Sequence, residues 1–308
     1  MMHKIKPILV TGSHRSGTTW IGKMLAATPE VGYIHEPFNL THRPGICTAQ
    51  FPYWFTYITE ENEAPYYEPL KNTFAFHFSL RAELPSIHSL RHAGRMIKNY
   101  KNFTLYRFRH AAPLIKDPIA LFSSEWLVKR FDMNVVVLIR HPAAFTSSIR
   151  RLNWAHNFSH FLNQPLLMRD YLAPFEAEIC AFAQKEHDIL EQATLLWRII
   201  HHLILQYQEE HKDWIFLRHE DISTDPLHYF AYLYKCMNLT FTSHVKKVIE
   251  DYSSEDNPTE AAKGHTLVKR NSKSNIKSWR NKFTEAELTR LRKEVEDISH
   301  HFYSDADW

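Results

Sequence analysis

Apolar residues in this chain come in short, unbroken runs, each followed by a polar residue and usually by a helix start. The runs occupy positions 7–12, 31–34, 113–115, 135–139 and 214–217. Continuous rather than alternating hydrophobicity predicts strands buried on both faces, as in a parallel sheet. Between the runs the period changes to that of a helix. Trp20, Ile21, Met24 and Leu25 share one face after the first run, and a stripe through Ile189, Ala193, Leu196, Trp197, Ile200, Leu203, Ile204 and Tyr207 predicts a long helix over 185–210. Asp117-Pro118 and Asp225-Pro226 each put a capping carboxylate before a proline at the first helical position, whereas His141-Pro142 contributes the proline alone. Thr284 and Glu287 have the spacing of a capping box, with Phe283 and Leu288 as a hydrophobic staple, opening a last helix through Leu291, Val295, Ile298 and Phe302.

The expected fold is α/β: a three-layer α/β/α arrangement with a mostly parallel central sheet and helical insertions, built as one domain over 1–308. Segments 38–112 and 153–184 fit the strand-helix rhythm poorly and read as insertions over the sheet, placed to bind an acceptor molecule. Neither segment resembles a linker.

Composition narrows the function. The 308 residues carry 37 basic and 34 acidic side chains, a net charge of +3, so any anion site must be local rather than a property of the whole surface. Nucleic acid is therefore not an expected partner. No apolar run approaches the roughly 20 residues that span a membrane. Cys47, Cys180 and Cys236 are far apart and odd in number, which argues against a disulfide framework or a zinc site, and the 21 histidines lack metal-site spacing. With no signal-like stretch before the first strand, the expected location is the cytoplasm, and no metal is expected. Glycine is scarce at seven residues, yet Gly12, Gly17 and Gly22 fall in one short stretch.

That stretch is Gly12-Ser13-His14-Arg15-Ser16-Gly17-Thr18-Thr19, lying between a predicted strand and a predicted helix. This is the setting of a phosphate-binding loop, in which backbone N–H groups and the helix dipole converge on an anion. An ordinary strand-to-helix turn is the simpler alternative. In nucleotide triphosphatases lysine stands where this chain has Thr18, and Arg15 supplies the cation from another position. Arg140 ends the apolar run 135–139 and is followed by Thr146, Ser147 and Ser148, so a guanidinium and a hydroxyl meet at the carboxyl end of a strand. Capping a helix or pairing with a carboxylate would also explain Arg140. Segment 263–282 holds Lys263, Lys269, Arg270, Lys273, Lys277, Arg280 and Lys282 with no acid among them. It reads either as a solvated face or as a loop closing over an anion.

Together these motifs resemble the sulfotransferases that use 3′-phosphoadenosine 5′-phosphosulfate, PAPS, and the resemblance reaches from Ile8 to about Thr284. His14 to Trp20 is similar to the family's 5′-phosphosulfate loop, Leu138 to Pro142 with Ser148 to its 3′-phosphate motif, and Lys273 through Thr284 to its closing loop. The resemblance implies a P-loop-like fold, PAPS as co-substrate and no metal. It implies that Arg15, Ser16, Gly17, Thr18 and Thr19 hold the phosphosulfate, that Trp20 stacks on adenine, and that Arg140 and Ser148 hold the 3′-phosphate with Lys273 or Arg270. Ser272 and Ser274 stand where the cytosolic small-molecule branch has arginine and glycine. That branch also has a histidine two residues after a strand-end lysine, where this chain has Lys116-Asp117-Pro118.

Gly32-Tyr33-Ile34-His35-Glu36-Pro37-Phe38 instead resembles the segment of carbohydrate sulfotransferases in which a glutamate before proline acts as base. Glu36 is therefore the expected base, with Lys116 and Arg15 stabilising the charge that develops. A surface carboxylate, or a partner of Arg15 or Lys116, is the simpler account of Glu36. His219, after the run 214–217, is placed loosely near the adenine. The implied activity is sulfuryl transfer to a hydroxyl of a carbohydrate or glycolipid. A nucleotide kinase-like phosphotransferase and a non-catalytic nucleotide-binding domain are the rivals.

Overall fold

The computed structural model describes residues 5–259 and 269–308. Its centre is a five-stranded sheet formed by β1 (Ile8–Gly12), β2 (Val31–His35), β3 (Ala112–Lys116), β4 (Asn134–Ile139) and β5 (Ile215–Arg218). The order is β2-β3-β1-β4-β5, and every pairing is parallel. Each strand coincides with one of the apolar runs.

The unbroken runs have a direct physical cause. In β1, Leu9 enters one apolar core while Ile8 and Val10 enter the other, and in β4 the residues Val135, Val137 and Ile139 alternate with Val136 and Leu138 in the same way. Because successive side chains point to opposite faces, a strand covered on both sides has no polar position to spare. β5 departs from this pattern: at the sheet edge its four residues are only half-buried.

One face is covered by the helices Thr18–Leu25, Pro226–Cys236 and Ser243–Ser253, the other by Ile189–Glu210, Glu285–Ser299 and both insertions. The 185–210 helix begins at Ile189, four residues later than the stripe suggested, because the Asp188 carboxylate caps it by accepting from the backbone N–H groups of Leu190 and Glu191. Asp117 and Asp225 cap as expected. His141 does more than expected, since its Nδ1 accepts from Ala143 N at 3.3 Å. The Thr284–Glu287 capping box is present. Segment 38–112, between β2 and β3, contributes Phe38, Phe51, Phe55, Phe74, Phe76 and Phe103 to the core, so most of its aromatic residues serve packing.

Candidate functional site

Four of the strand ends, with the segment after β2, open into one cleft of about 770 Å³. At the end of β1 the backbone turns sharply. Gly12 has φ +110°, and a Cβ there would fall 2.3 Å from the carbonyl oxygen of Leu138 on β4. Ser13 N–H donates to that same oxygen at 2.9 Å, and Ser16 Oγ–H donates to Ser13 O, which folds the loop back on itself. Arg15 at φ 64° and Gly17 at φ 90° complete the turn.

Gly17 is the N-cap of the Thr18–Leu25 helix, which has no side-chain cap. Its first N–H groups therefore face the cleft beside Thr18 and Thr19, the arrangement that binds an anion. Any side chain at position 17 would meet His219 Nδ1 at 2.7 Å. His219, buried after β5, stands between Gly17 and Trp20, whose ring centroid is 6.3 Å from the imidazole. Burial, reinforced by the Arg140 charge, pushes His219 well below the usual histidine range, so it is a neutral wall of the cleft.

Positive charge is concentrated here. Arg15, Arg140, Arg151, Arg270 and Lys282 line the cleft, and among the described residues Glu36 is the one lining carboxylate. Arg15 Nε donates to Ser148 Oγ at 3.0 Å, and its guanidinium lies 5.3 Å over the Trp154 ring. Burial and then the neighbouring Arg270, Arg151 and Arg140 push the Arg15 pKa down to about 10. Mutual repulsion of this kind is relieved by an anion. Ala144, Ser147, Ser148 and Arg151 present one face of the Pro142–Leu152 helix to the cleft at three- and four-residue spacing.

Arg140 is nearly buried, with Nε 3.7 Å from Glu220 Oε1 and no hydrogen-bond partner on that nitrogen. Glu220 accepts from Tyr303 Oη–H at 2.9 Å and from His141 N–H at 3.3 Å. A buried guanidinium that lines the cleft, offset by one carboxylate held at 3.7 Å rather than in a hydrogen bond, keeps positive charge for a bound phosphate oxygen. Sequence reasoning offered a carboxylate partner as a bland alternative for Arg140. That partner is Glu220, and it sits behind the cleft rather than across it.

The two candidate cations of the closing segment are placed differently. Arg270 lines the cleft, whereas Lys273 points outward and pairs with Glu255 at 3.2 Å. Ser272, standing where the resemblance would have an arginine, is buried and donates to Ser223 O at 2.9 Å, which ties the segment down. Trp279 also lines the cleft and stacks on His141, with ring centroids 4.8 Å apart and planes 8° from parallel. Lys263 and Gly264, the start of the basic run, lie outside the described residues.

At the opposite end, Glu36 leaves β2 with φ 42° and is held from three directions. Its N–H donates to Lys116 O at 2.9 Å, Asn39 Nδ2 donates to Oε2 at 2.9 Å, and Lys116 Nζ donates to Oε1. Burial would raise its pKa, but the Lys116 ammonium, with His35 and these hydrogen bonds, holds the carboxylate below its usual range. Lys116 is itself buried and reaches the cleft only through Glu36. Fully buried Asp117 accepts from Phe38 N–H at 2.7 Å and Ile119 N–H at 2.9 Å, fixing the segment after Glu36. Burial and the nearby Glu36 carboxylate push Asp117 up to about 7.

Of the residues singled out from sequence, Arg15, Gly17, Thr18, Thr19, Trp20, Glu36, Arg140, Ser148 and Arg270 line this one cleft. Ser16 shapes the loop from beneath, and Lys116 touches Glu36. Tyr303, Asn39 and Arg151 had no motif to mark them.

Among curated proteins none matches this sequence. Solved structures similar to it include the sulfotransferase domain of the Synechococcus PCC 7002 olefin synthase (14% identity, TM-score 0.49, covering 99% of this chain and 98% of that one). The sulfotransferase domain from the curacin biosynthetic pathway is similar at 13% identity and TM-score 0.46, covering 94% and 97%. Retinol dehydratase in complex with retinol and PAP is similar at 15% identity and TM-score 0.44, covering 97% and 82%. The family model for the sulfotransferase domain matches residues 6–301, nearly the whole length, and the chain belongs to that family.

Proposed function

We propose that this chain transfers a sulfuryl group from PAPS to an acceptor hydroxyl of a carbohydrate or glycolipid. The observation that carries this reading is the meeting, in one cleft, of a glycine-framed loop with Arg15 and a carboxylate, Glu36, fixed at the end of β2. PAPS, when bound, supplies the activated sulfuryl group. The chain's own residues do the rest. Arg15, with the N–H groups of Thr18 and Thr19, holds the 5′ end, while Arg140, Ser148 and Arg270 hold the 3′-phosphate and Trp20 borders the adenine. Glu36 takes the proton from the acceptor oxygen as that oxygen attacks in line, and Lys116 keeps the carboxylate ionised and oriented.

The cleft wall supports this acceptor class. Trp54, Phe55 and Trp154 present rings, and Asn39 and Thr41 present hydrogen-bonding groups. Rings that cover C–H surface beside donors and acceptors for hydroxyls suit a sugar.

Two measurements test the reading. Calorimetry is expected to give tight binding of PAP, the desulfated product of PAPS, and weak binding of ATP with magnesium. Preference for ATP would sink the assignment in favour of a phosphotransferase. A panel of sugars, glycolipids, phenols and sterols then tests the acceptor, and turnover confined to phenols or sterols would remove the carbohydrate reading.

The two basic residues of the closing segment separate in the same assay. Removing Arg270, which makes a charge-assisted contact with the 3′-phosphate, is expected to weaken PAP binding by about tenfold to a hundredfold. Lys273→Ala is expected to leave it unchanged, because that ammonium is exposed beside Glu255. Equal losses in the two variants would mean that the segment rearranges around the nucleotide.

A further inference from the structure

The insertion between β2 and β3 contains the helix Leu90–Phe108, and its solvent face is unlike the rest of the protein. Seven of the nine large exposed hydrophobic side chains among the described residues lie between Leu80 and Phe108. Leu90 is 92% exposed and Phe108 81%, with Ile97, Tyr100 and Leu105 exposed alongside. Leu90, Ile97, Lys101 and Phe108 are spaced by seven, eleven and eighteen residues, which puts them on one line along a 3.6-residue helix. Phe103, the one buried residue of this helix, packs against Phe76 and Phe78 on the opposite side. The helix is therefore anchored by one face and presents a second apolar stripe outward.

Charge identifies what covers that stripe. The helix carries Arg91, Arg95, Lys98, Lys101 and Arg107 and no acidic residue. On a helical projection Arg91, Arg95 and Lys98 flank the stripe on one side and Arg107 on the other. An apolar strip bordered by lysine and arginine has the form of a helix that lies in the headgroup region of an anionic bilayer, rings and aliphatic chains in the acyl boundary and cations among the phosphates. A second copy packed about a two-fold axis would set these five cations against the same five, which repel. A nucleic-acid backbone would satisfy the cations but leave Leu90, Ile97 and Phe108 wet. Among the described residues no helix is long and apolar enough to cross a membrane, so attachment would be peripheral.

We propose that the exposed face of the Leu90–Phe108 helix docks the protein on an anionic lipid surface, with Leu90, Ile97 and Phe108 inserted and the flanking lysines and arginines paired with lipid phosphates. The inference stands apart from the acceptor assignment. Neither depends on the other.

The test is sedimentation of the full chain with vesicles of phosphatidylcholine alone or mixed with phosphatidylglycerol. Binding is expected to the mixed vesicles and not to the neutral ones, and to weaken as salt is raised. The pair Lys98→Gln and Lys101→Gln is expected to lower the partition coefficient roughly 30-fold, about 1 kcal/mol per cation converted to affinity. Leu90→Ser, Ile97→Ser and Phe108→Ser together should abolish binding while leaving PAP affinity unchanged and the thermal transition little moved, since these side chains are exposed on the outer face of the helix. Vesicle binding retained by both variants would overturn the proposal. So would absence of binding in the parent protein, and sedimentation velocity would then report whether a dimer, lost in the triple variant, covers the stripe instead.

Discussion

Glu36→Gln is expected to lower sulfuryl transfer by about 10²–10⁴ while PAP still binds, the range removed with a general base. The substitution keeps the shape of the side chain but not its charge. A glutamine carbonyl oxygen still accepts from Lys116 Nζ, yet the buried ammonium loses its counter-charge, so the thermal transition should fall, and retained PAP binding is the control for folding. What disappears is a site for the acceptor's proton. The pH profile supplies an independent reading. Because Lys116 and the Asn39 hydrogen bond hold Glu36 below the ordinary carboxylate value of 4.5, the base is ionised throughout the neutral range. Transfer by the parent protein should therefore be flat from neutral pH down to about that value and fall below it, as the carboxylate takes up a proton. Any acid limb attributable to Glu36 must be missing from the residual rate of the variant. Full activity in Glu36→Gln, or an unchanged acid limb, would move the base elsewhere.

The reasons that Glu36 was legible from sequence differ from those that hid its neighbours. A strand covered on both faces needs an unbroken apolar run, so β1 to β4 announced themselves, and the segments that follow β1, β2 and β4 bring Arg15, Glu36 and Arg140 to the cleft. Gly12 and Gly17 were legible because a turn at φ +110° and +90° against the Leu138 backbone and the His219 ring excludes other residues. By contrast, the placement of Arg270 in the cleft and Lys273 outside it goes with Ser272, which is tied to Ser223, 49 residues earlier. No local pattern encodes that contact. The pairing of Glu220 was hidden for a similar reason: its partner Arg140 and its donor Tyr303 lie 80 or more residues away on either side. Asn39 is three residues beyond Glu36, close enough to find, but an asparagine after a proline reads as a turn residue and its hydrogen bond to Oε2 has no sequence mark.

The Arg140–Glu220–Tyr303 group makes the second strong prediction. Arg140→Met is expected to abolish measurable PAP binding and also to destabilise the fold. The two effects have different origins. Binding is expected to be lost because Arg140 is the buried guanidinium proposed to hold the 3′-phosphate, and a thioether offers no charge in its place. Stability is lost because Glu220 stays buried as a carboxylate without its cation. Breaking a buried pair costs about 3–5 kcal/mol, and the low end applies here because the Tyr303 hydroxyl and His141 N–H still donate to Glu220. Adding Glu220→Gln removes the stranded charge while keeping an oxygen for the His141 N–H, and the Tyr303 hydroxyl can rotate to accept from the amide NH₂. The double variant should therefore recover much of the stability in chemical denaturation and none of the PAP affinity in calorimetry. This split is the decisive readout, because a purely structural arginine would regain binding along with the fold. Recovery of PAP affinity in the double variant would remove Arg140 from the phosphate site and reduce it to a counter-ion for Glu220.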